Sequence, residues 1–181
     1  AKGRAIVNLL MLSEGEKVSA IIPRVENATG NLIMATRQGL IKKTELKEFE
    51  SIRKVGKIAL HLVDGDELIG VEVSSGNDDI LVASSDGKAI RFNEGDVRNM
   101  GRNSQGVRSM RLNDDEHIVD MTVVKPGTQI VTVSEKGYGK RSDVDEYRLQ
   151  SRGGKGIKAG VFNSKTGKLV ALKQSIADAD I

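Results

Sequence analysis

The sequence predicts an all-β protein made of stacked four-stranded units, on three observations. Short runs rich in Val and Ile are separated by turn residues, with 20 glycines and two prolines along 181 residues. Landmarks recur at intervals of about 50 residues, and four strand-like runs fit within one interval. A four-stranded sheet of that length cannot cover both of its own faces, so such units stack. Propellers with roughly 40 to 50 residues per blade are the common solution.

The first series of landmarks is apolar. Leu12, Leu62, Leu112 and Phe162 lie 50 apart, and each begins or precedes a polar turn: Ser13 to Glu16, Asp64-Gly65-Asp66, Asn113 to Glu116, and Asn163-Ser164. Val18, Leu68 and Ile118 then restart an apolar run. Gly39, Gly87 and Gly137 form a second series at steps of 48 and 50, the shorter step reflecting a longer loop, Val25 to Asn31, in the first copy. Four residues after each stands a base, Lys43, Arg91 or Arg141, and ten residues after each stands an apolar anchor, Phe49, Val97 or Tyr147. The third series, Gly56, Gly106 and Gly156, precedes the next strand, with Arg102 and Arg152 four residues ahead of the last two.

In the second copy, Lys57 to Val63, Leu68 to Ser74, Ile80 to Ser85 and Lys88 to Phe92 read as strands, separated by Asp64-Gly65-Asp66, Gly76-Asn77-Asp78 and Asp86-Gly87. Asp86-Gly87 predicts a two-residue hairpin turn with both residues at positive φ, and Gly39 and Gly137 occupy the same slot. Glu94 to Met100 predicts a short helical turn. The copies fall at 3–55, 56–105, 106–155 and 156–181, about three and a half units. A closed propeller takes typically at least 4 blades. The expectation is therefore an open arc, or a ring completed by further sequence; the missing initial Met and the last copy's stop at Ile181 read as truncation.

The bulk composition excludes several classes. No stretch approaches the roughly 20 apolar residues of a membrane helix, and the apolar run Ala5 to Leu12 lacks a signal-peptide cleavage site. With no cysteine, disulfide scaffolds and thiolate zinc sites are excluded, and the cytosol is the expected location. Aromatics are confined to Phe49, Phe92, Phe162, Tyr138 and Tyr147, too few for a platform that stacks single-stranded bases.

A net charge of +3 is unremarkable, but its distribution follows the repeat. Residues 36–57, 87–111 and 137–160 carry +4, +4 and +3, and the remainder sums to −8. Each window covers the same part of the unit, its last strand and the loop to the next. Arranged about an axis, these windows form a basic stripe along one rim, the electrostatic footprint of a polyanion binder. The bases Lys42, Lys43, Arg91, Arg102, Lys140, Arg141, Arg152 and Lys155 are the expected phosphate contacts. The glycines around Arg152-Gly153-Gly154-Lys155-Gly156 let backbone N–H groups approach phosphate. No recognition helix or zinc finger suggests base readout, so the contacts read as phosphate and shape contacts.

Catalytic and metal readings fail residue by residue. A nucleotide P-loop needs glycine where Leu149 stands, and no Ser or Thr follows Lys155. His61 and His117 occupy different repeat positions, without metal-ligand spacing. Asp64/Asp66, Asp78/Asp79 and Asp114/Asp115 lie in turns, where the carboxylate ordinarily bonds backbone. Tyr138 and Tyr147 lack an accompanying base, and Tyr147 shares its slot with Phe49 and Val97.

Gly137-Tyr-Gly-Lys-Arg141 followed by Asp145-Glu146-Tyr147 resembles the C-terminal domain of the DNA gyrase A protein of bacteria. So do Gly3-Arg-Ala-Ile-Val-Asn-Leu-Leu10, Asp66-Glu-Leu-Ile-Gly-Val71 and the Asp96 to Arg102 stretch. The resemblance spans essentially the whole chain. It implies a β-pinwheel, a propeller-like ring of about six four-stranded blades in which a strand passes between neighbours. It further implies a rim that wraps duplex DNA for negative supercoiling by an ATP-driven type IIA topoisomerase. The implied partners are duplex DNA, the gyrase A N-terminal breakage–reunion domain and gyrase B in an A2B2 holoenzyme. No cofactor is expected in this chain; ATP and Mg serve other parts. The family carries a box, Gln-(Arg/Lys)-Arg-Gly-Gly-Lys-Gly, in its first blade. Gln150-Ser151-Arg152-Gly153-Gly154-Lys155-Gly156 is similar to it, with Ser151 in place of a base. Because Ala1-Lys-Gly-Arg4 matches the end of the first blade, the principal box is expected upstream of Ala1, and 150–156 is a box-like copy. The homologous domain of topoisomerase IV is the nearest rival, and a propeller-like scaffold for protein partners is the alternative from another class.

Overall fold

The computed structural model describes residues 10–14, 17–21, 30–49, 57–61, 65–101, 104–160 and 162–176. They form antiparallel sheets linked by short 3₁₀ turns, as expected for an all-β chain. The strands are β1 (Leu10–Glu14), β2 (Lys17–Ile21), β3 (Asn31–Thr36), β4 (Leu40–Glu45), β5 (Lys57–His61), β6 (Leu68–Ser74) and β7 (Asp79–Ser84). They continue as β8 (Lys88–Asn93), β9 (Val107–Arg108), β10 (Ile118–Val123), β11 (Thr128–Ser134), β12 (Gly139–Asp143), β13 (Ile157–Lys158) and β14 (Leu169–Ile176). Four sheets result among the described residues: β1-β2-β5, β6-β3-β4-β9, β10-β7-β8-β13 and β12-β11-β14.

The four strands read from the second copy are present, but they do not form one sheet. β5 joins the first sheet, β6 the second, and the β7–β8 hairpin builds the third. The pattern repeats: after β8 the chain crosses to the outer edge of the second sheet as β9, then returns to the inner edge of the third as β10. A strand edge carries unpaired N–H and C=O groups that need partners. Strands from the following repeat satisfy β4 and β8 on that side. Leu40 and Ile41 pair with Arg108 and Val107, and Lys88 and Ala89 pair with Lys158 and Ile157.

At the inner edges, carboxylates bridge the sheets. Glu72 Oε1 on β6 accepts from Val123 N–H on β10 at 2.9 Å, and Asp120 Oδ2 on β10 accepts from Leu172 N–H on β14 at 3.0 Å. A one-residue bulge recurs on these inner strands, leaving Ile69, Val119 and Val170 out of register. The extra residues line a common pocket with Arg37, His117 and Lys168.

Sheet stacking explains the apolar runs. Ile80 and Val82 of β7 pack with Ile33, Ile41 and Phe92 in one core, while Leu81 and Ala83 pack with Ile130, Tyr147 and Leu169 in the next. A strand buried on both faces has no reason to alternate polar and apolar residues, hence Ile-Leu-Val-Ala. In β11 only alternate residues, Ile130, Thr132 and Ser134, are buried.

The hairpin turns differ from the two-residue form expected. Loop 85–87 has three residues, with Gly87 N–H donating to Ser84 O at 3.0 Å and Gly87 at φ +85°. Gly39 and Gly137 close their loops on Thr36 and Ser134 in the same way. The glycine is thus the left-handed residue after the turn rather than half of a paired turn. The short helical turn expected after Asn93 is present as a 3₁₀ turn, Glu94–Asp96, with Asn93 capping Gly95 N–H. Val97 and Tyr147 are buried anchors; the Phe49 side chain lies outside the described residues, as do Gly56 and Leu62.

Gly106 and Gly156 serve close approach. Each has positive φ, and a Cβ there would stand 2.6 Å from Ile41 O or Ala89 O of the neighbouring outer strand. Gly127, with φ +75°, faces open space. Gly156→Ala is therefore expected to destabilise the fold by on the order of 3 kcal/mol and Gly127→Ala by about 1 kcal/mol, compared as shifts in the urea midpoint. Equal costs would show that the approach to Ala89 does not matter.

Glu72 gives a pH prediction. Burial, with Asp120 adding to it, raises its pKa above the ordinary carboxylate value, against the bonds from Val123 and Thr122. The folded state thus holds this proton more tightly than the unfolded state, and its stabilising effect fades as pH rises through the raised value. Glu72→Gln keeps an acceptor for Val123 and removes the titration. The variant should gain stability over the parent as pH rises from about 4 towards 8, read from urea midpoints; a constant difference across that range would refute the assignment.

Candidate nucleic-acid interface

Among the described residues the rim is built from two loops that leave the 3₁₀ turns and cross the outer edge of the preceding sheet. After Glu94–Asp96, Asn99 bridges Lys43 in parallel register and Met100 N–H donates to Lys43 O; β9 follows. After Val144–Glu146, Leu149 bridges Arg91, Gln150 N–H donates to Arg91 O, and β13 follows. The two-residue strands have one side each way. Val107 and Ile157 pack on the cores, while Arg108 and Lys158 are exposed at the outermost edge.

The expected phosphate contacts separate into two groups. Lys140, Arg141 and Lys155 are exposed. Lys42 is fully buried and Lys43 nearly so, because β4 is packed on both faces and overlaid at its outer edge. They are therefore withdrawn from a surface set. Arg91 is mostly buried and paired with Asp79 at 2.9 Å. Arg102 lies outside the described residues.

In the box-like segment Gln150, Arg152, Gly153, Gly154, Lys155, Gly156, the Arg152 side chain and the Gly153 and Gly154 backbone bond the neighbouring blade, while Lys155 is exposed. Arg152 Nε donates to Asp96 O and Nη1 to Arg108 O, both at 2.9 Å. Gly153 N–H donates to Ser109 O, and Gly154 O accepts from Arg111 N–H, both at 2.7 Å. The glycines thus bring backbone against backbone, which the sequence could not distinguish from backbone against phosphate.

On the two rim loops five further exposed cations stand outside the expected contacts: Arg98, Arg108, Arg111, Arg148 and Lys158. The signal for four of them was the same period, since Arg98 and Arg148 share a slot, as do Arg108 and Lys158. Exposed Asp96, Asp143, Asp145 and Glu146 stand at the 3₁₀ turns, so the cations dominate the loops rather than the turns. Burial, Arg37 and Lys168 push the His117 pKa down, which disfavours its charged form.

Burial and Glu146 raise the Tyr147 pKa against a bond from Ser142, and the ring sits in a core. Among the described residues no group of His, Cys, Asp and Glu is arranged to hold a metal ion, and no helix is long and apolar enough to cross a membrane.

The chain is 44% identical over 181 residues to the DNA gyrase A protein of Escherichia coli (strain K12), covering 99% of this chain and 21% of that protein. It is 41% identical over 173 residues to the DNA gyrase A protein of Ureaplasma parvum, covering 96% and 21%. It thus spans about a fifth of the length of these curated relatives. In fold it resembles a solved DNA gyrase A C-terminal domain, with TM-score 0.80 and 24% identity over 95% of this chain and 66% of that one. The C-terminal domain of DNA topoisomerase IV gives TM-score 0.78 and 23% identity over 86% and 49%. The family model described as DNA gyrase C-terminal domain, beta-propeller, matches residues 30–75, 78–125 and 128–175, each running from a hairpin to its inner strand. Three consecutive matches that keep step with the sheets leave one assignment: the chain belongs to the DNA gyrase C-terminal domain family.

Proposed function

We propose that the chain binds duplex DNA without sequence preference and wraps it along the outer rim, supporting negative supercoiling by a gyrase holoenzyme. The observation that carries this reading is the recurrence of exposed cations on successive outer edges: Arg98, Arg108 and Arg111 on one loop, and Arg148, Lys155 and Lys158 on the next. Lys140 and Arg141 extend the series on β12. Cations on a curved stack of blades neutralise phosphates and release counterions, whatever the base sequence.

On this reading the chain is a non-catalytic, cytoplasmic part of an ATP-dependent type II topoisomerase. Duplex DNA, the gyrase A breakage–reunion domain and gyrase B are its partners; strand cleavage and the chemistry of ATP and Mg belong to other parts. The matched relatives, gyrase A proteins at 41–44% identity, favour this over a topoisomerase IV role.

Affinity for a duplex of about 150 bp should fall steeply with salt, the logarithm of the binding constant changing by roughly 0.9 per phosphate contact. Lys155→Ala with Lys158→Ala should reduce that slope by about 2 and weaken binding to unrelated sequences alike. Affinity insensitive to salt would favour a protein-binding scaffold instead. Relaxing closed circular DNA with the chain bound should leave a linking-number change; its absence, with tight binding, would mean contact without wrapping.

A further inference from the structure

The base four residues after each hairpin glycine occupies one structural slot on the outer hairpin strand. At two of the three positions its polar head points into the next blade. Lys43 Nζ donates to Glu94 O at 2.9 Å, across 51 residues of sequence. Arg91 Nη1 donates to Val144 O at 3.0 Å and Tyr147 O at 3.1 Å. Glu94 and Val144 are equivalent residues, each the first of a 3₁₀ turn. The acceptor is therefore the same carbonyl of the same element in the following blade. Within its own blade, Arg91 is held by Asp79 on β7; Arg141 donates to Gln129, the equivalent residue on β11, at 3.2 Å.

The geometry points to this base as an inter-blade latch: a positioning residue that fixes the angle between successive rim loops, rather than a phosphate ligand. The rim loop starts at the 3₁₀ turn whose carbonyl the latch holds. In the Arg91 junction it carries Arg148, Lys155 and Lys158. Holding the turn against the previous blade sets where those cations lie relative to Arg98, Arg108 and Arg111. On the DNA-wrapping reading, on which this inference rests, that offset sets the curvature of the duplex path.

The two junctions reach this end differently. Lys43 offers a single point of attachment, and its junction is reinforced by the Glu94 side chain. Glu94 Oε1 accepts from Asn31 Nδ2 at 3.0 Å and Ser74 Oγ at 2.8 Å, and Oε2 accepts from Gly76 and Asp78 N–H at 3.1 and 2.7 Å. Where Val144 replaces Glu94 that tie is gone, and the forked guanidinium of Arg91 takes two carbonyls and the Asp79 carboxylate, with Asp145 Oδ1 of the same 3₁₀ turn at 3.9 Å. Among the described residues no further blade overlies β12, and Arg141 in the same slot is exposed. One slot thus yields a latch at two positions, buried at Lys43 and half-buried at Arg91, and a surface cation at the third.

The test compares Arg91→Gln, Arg91→Lys and Arg141→Gln. Amide hydrogen exchange at Tyr147 and Gln150 reports the junction without DNA. The salt slope on a duplex of about 20 bp, too short to wrap, counts phosphate contacts, and end-to-end energy transfer on a duplex of roughly 100 bp reports bending. Arg91→Gln should speed exchange at those amides by on the order of tenfold and reduce bending, with the short-duplex slope unchanged. Arg91→Lys, which can still reach one carbonyl as Lys43 does, should restore both. Arg141→Gln should lower the slope by about 1 and leave exchange alone. The latch is overturned if Arg91→Gln lowers the slope as Arg141→Gln does, or if it leaves exchange and bending as in the parent. Failure of the parent chain to bind DNA would remove the proposed function, while the exchange comparison would still decide the latch.

Discussion

Everything in this fold follows from the need to cover sheet edges. A hairpin of about six residues per strand, such as β7–β8, has two bare edges and two bare faces. Stacking covers the faces but leaves the edges, and bare edges are templates for uncontrolled pairing. Here the outer edges of β4 and β8 are paired by strands from the next repeat, and the inner edges of β3, β7 and β11 by the strand that returns. The side-chain ties act in the same places: Glu72 and Asp120 meet free N–H groups of neighbouring inner strands, and Lys43 and Arg91 meet carbonyls at the outer end.

This solution makes the blades interdependent. The core around Ile33, Val82 and Phe92 draws on two sheets, and so does the core around Leu81, Ile130 and Tyr147. Stability is then carried by nearest-neighbour interfaces, as in other repeat architectures, rather than by the single blade. Residues that look like ornament in one repeat, Gly106 and Gly156 above all, are closure points between two. Their missing side chains let the returning strand lie within van der Waals distance of the neighbouring backbone.

Much of this was legible in the sequence, and the limits have physical causes. Strand positions were readable because Leu68–Ser74 and Lys88–Asn93 are bounded by turn residues, and the anchors Val97 and Tyr147 because an apolar slot recurs. Periodicity identifies equivalent positions but not which way a position faces. Lys43, Arg91 and Arg141 are equivalent, yet two are enclosed because a following blade overlies them and one is exposed. Arg152 shows a related limit. Glycine beside arginine is the composition of a phosphate loop, and also of a tight backbone crossing, and only the position of Asp96 O and Arg108 O separates the two. The assignment of strands to sheets was hidden because hydrophobic pattern reports burial, not hydrogen-bonding partner.

The division of cations between latch and rim bears on how a duplex could be bent. Bending a site of 20 to 30 bp through 40° to 90° costs about 1–6 kcal/mol, and contacts along the path must offset it. Cations on independently mobile loops would follow a straight duplex as readily as a curved one, so their attraction would favour no bend. Cations on loops held to the preceding blade can all be reached only by a duplex that follows the rim. On the proposed wrapping, burying some of the bases is compatible with a strong polyanion surface: the enclosed ones would fix the geometry, and the exposed ones would supply the attraction. The acids Asp96, Asp145 and Glu146 stand beside the 3₁₀ turns and not on β9 or β13, which keeps the cationic edge itself unopposed.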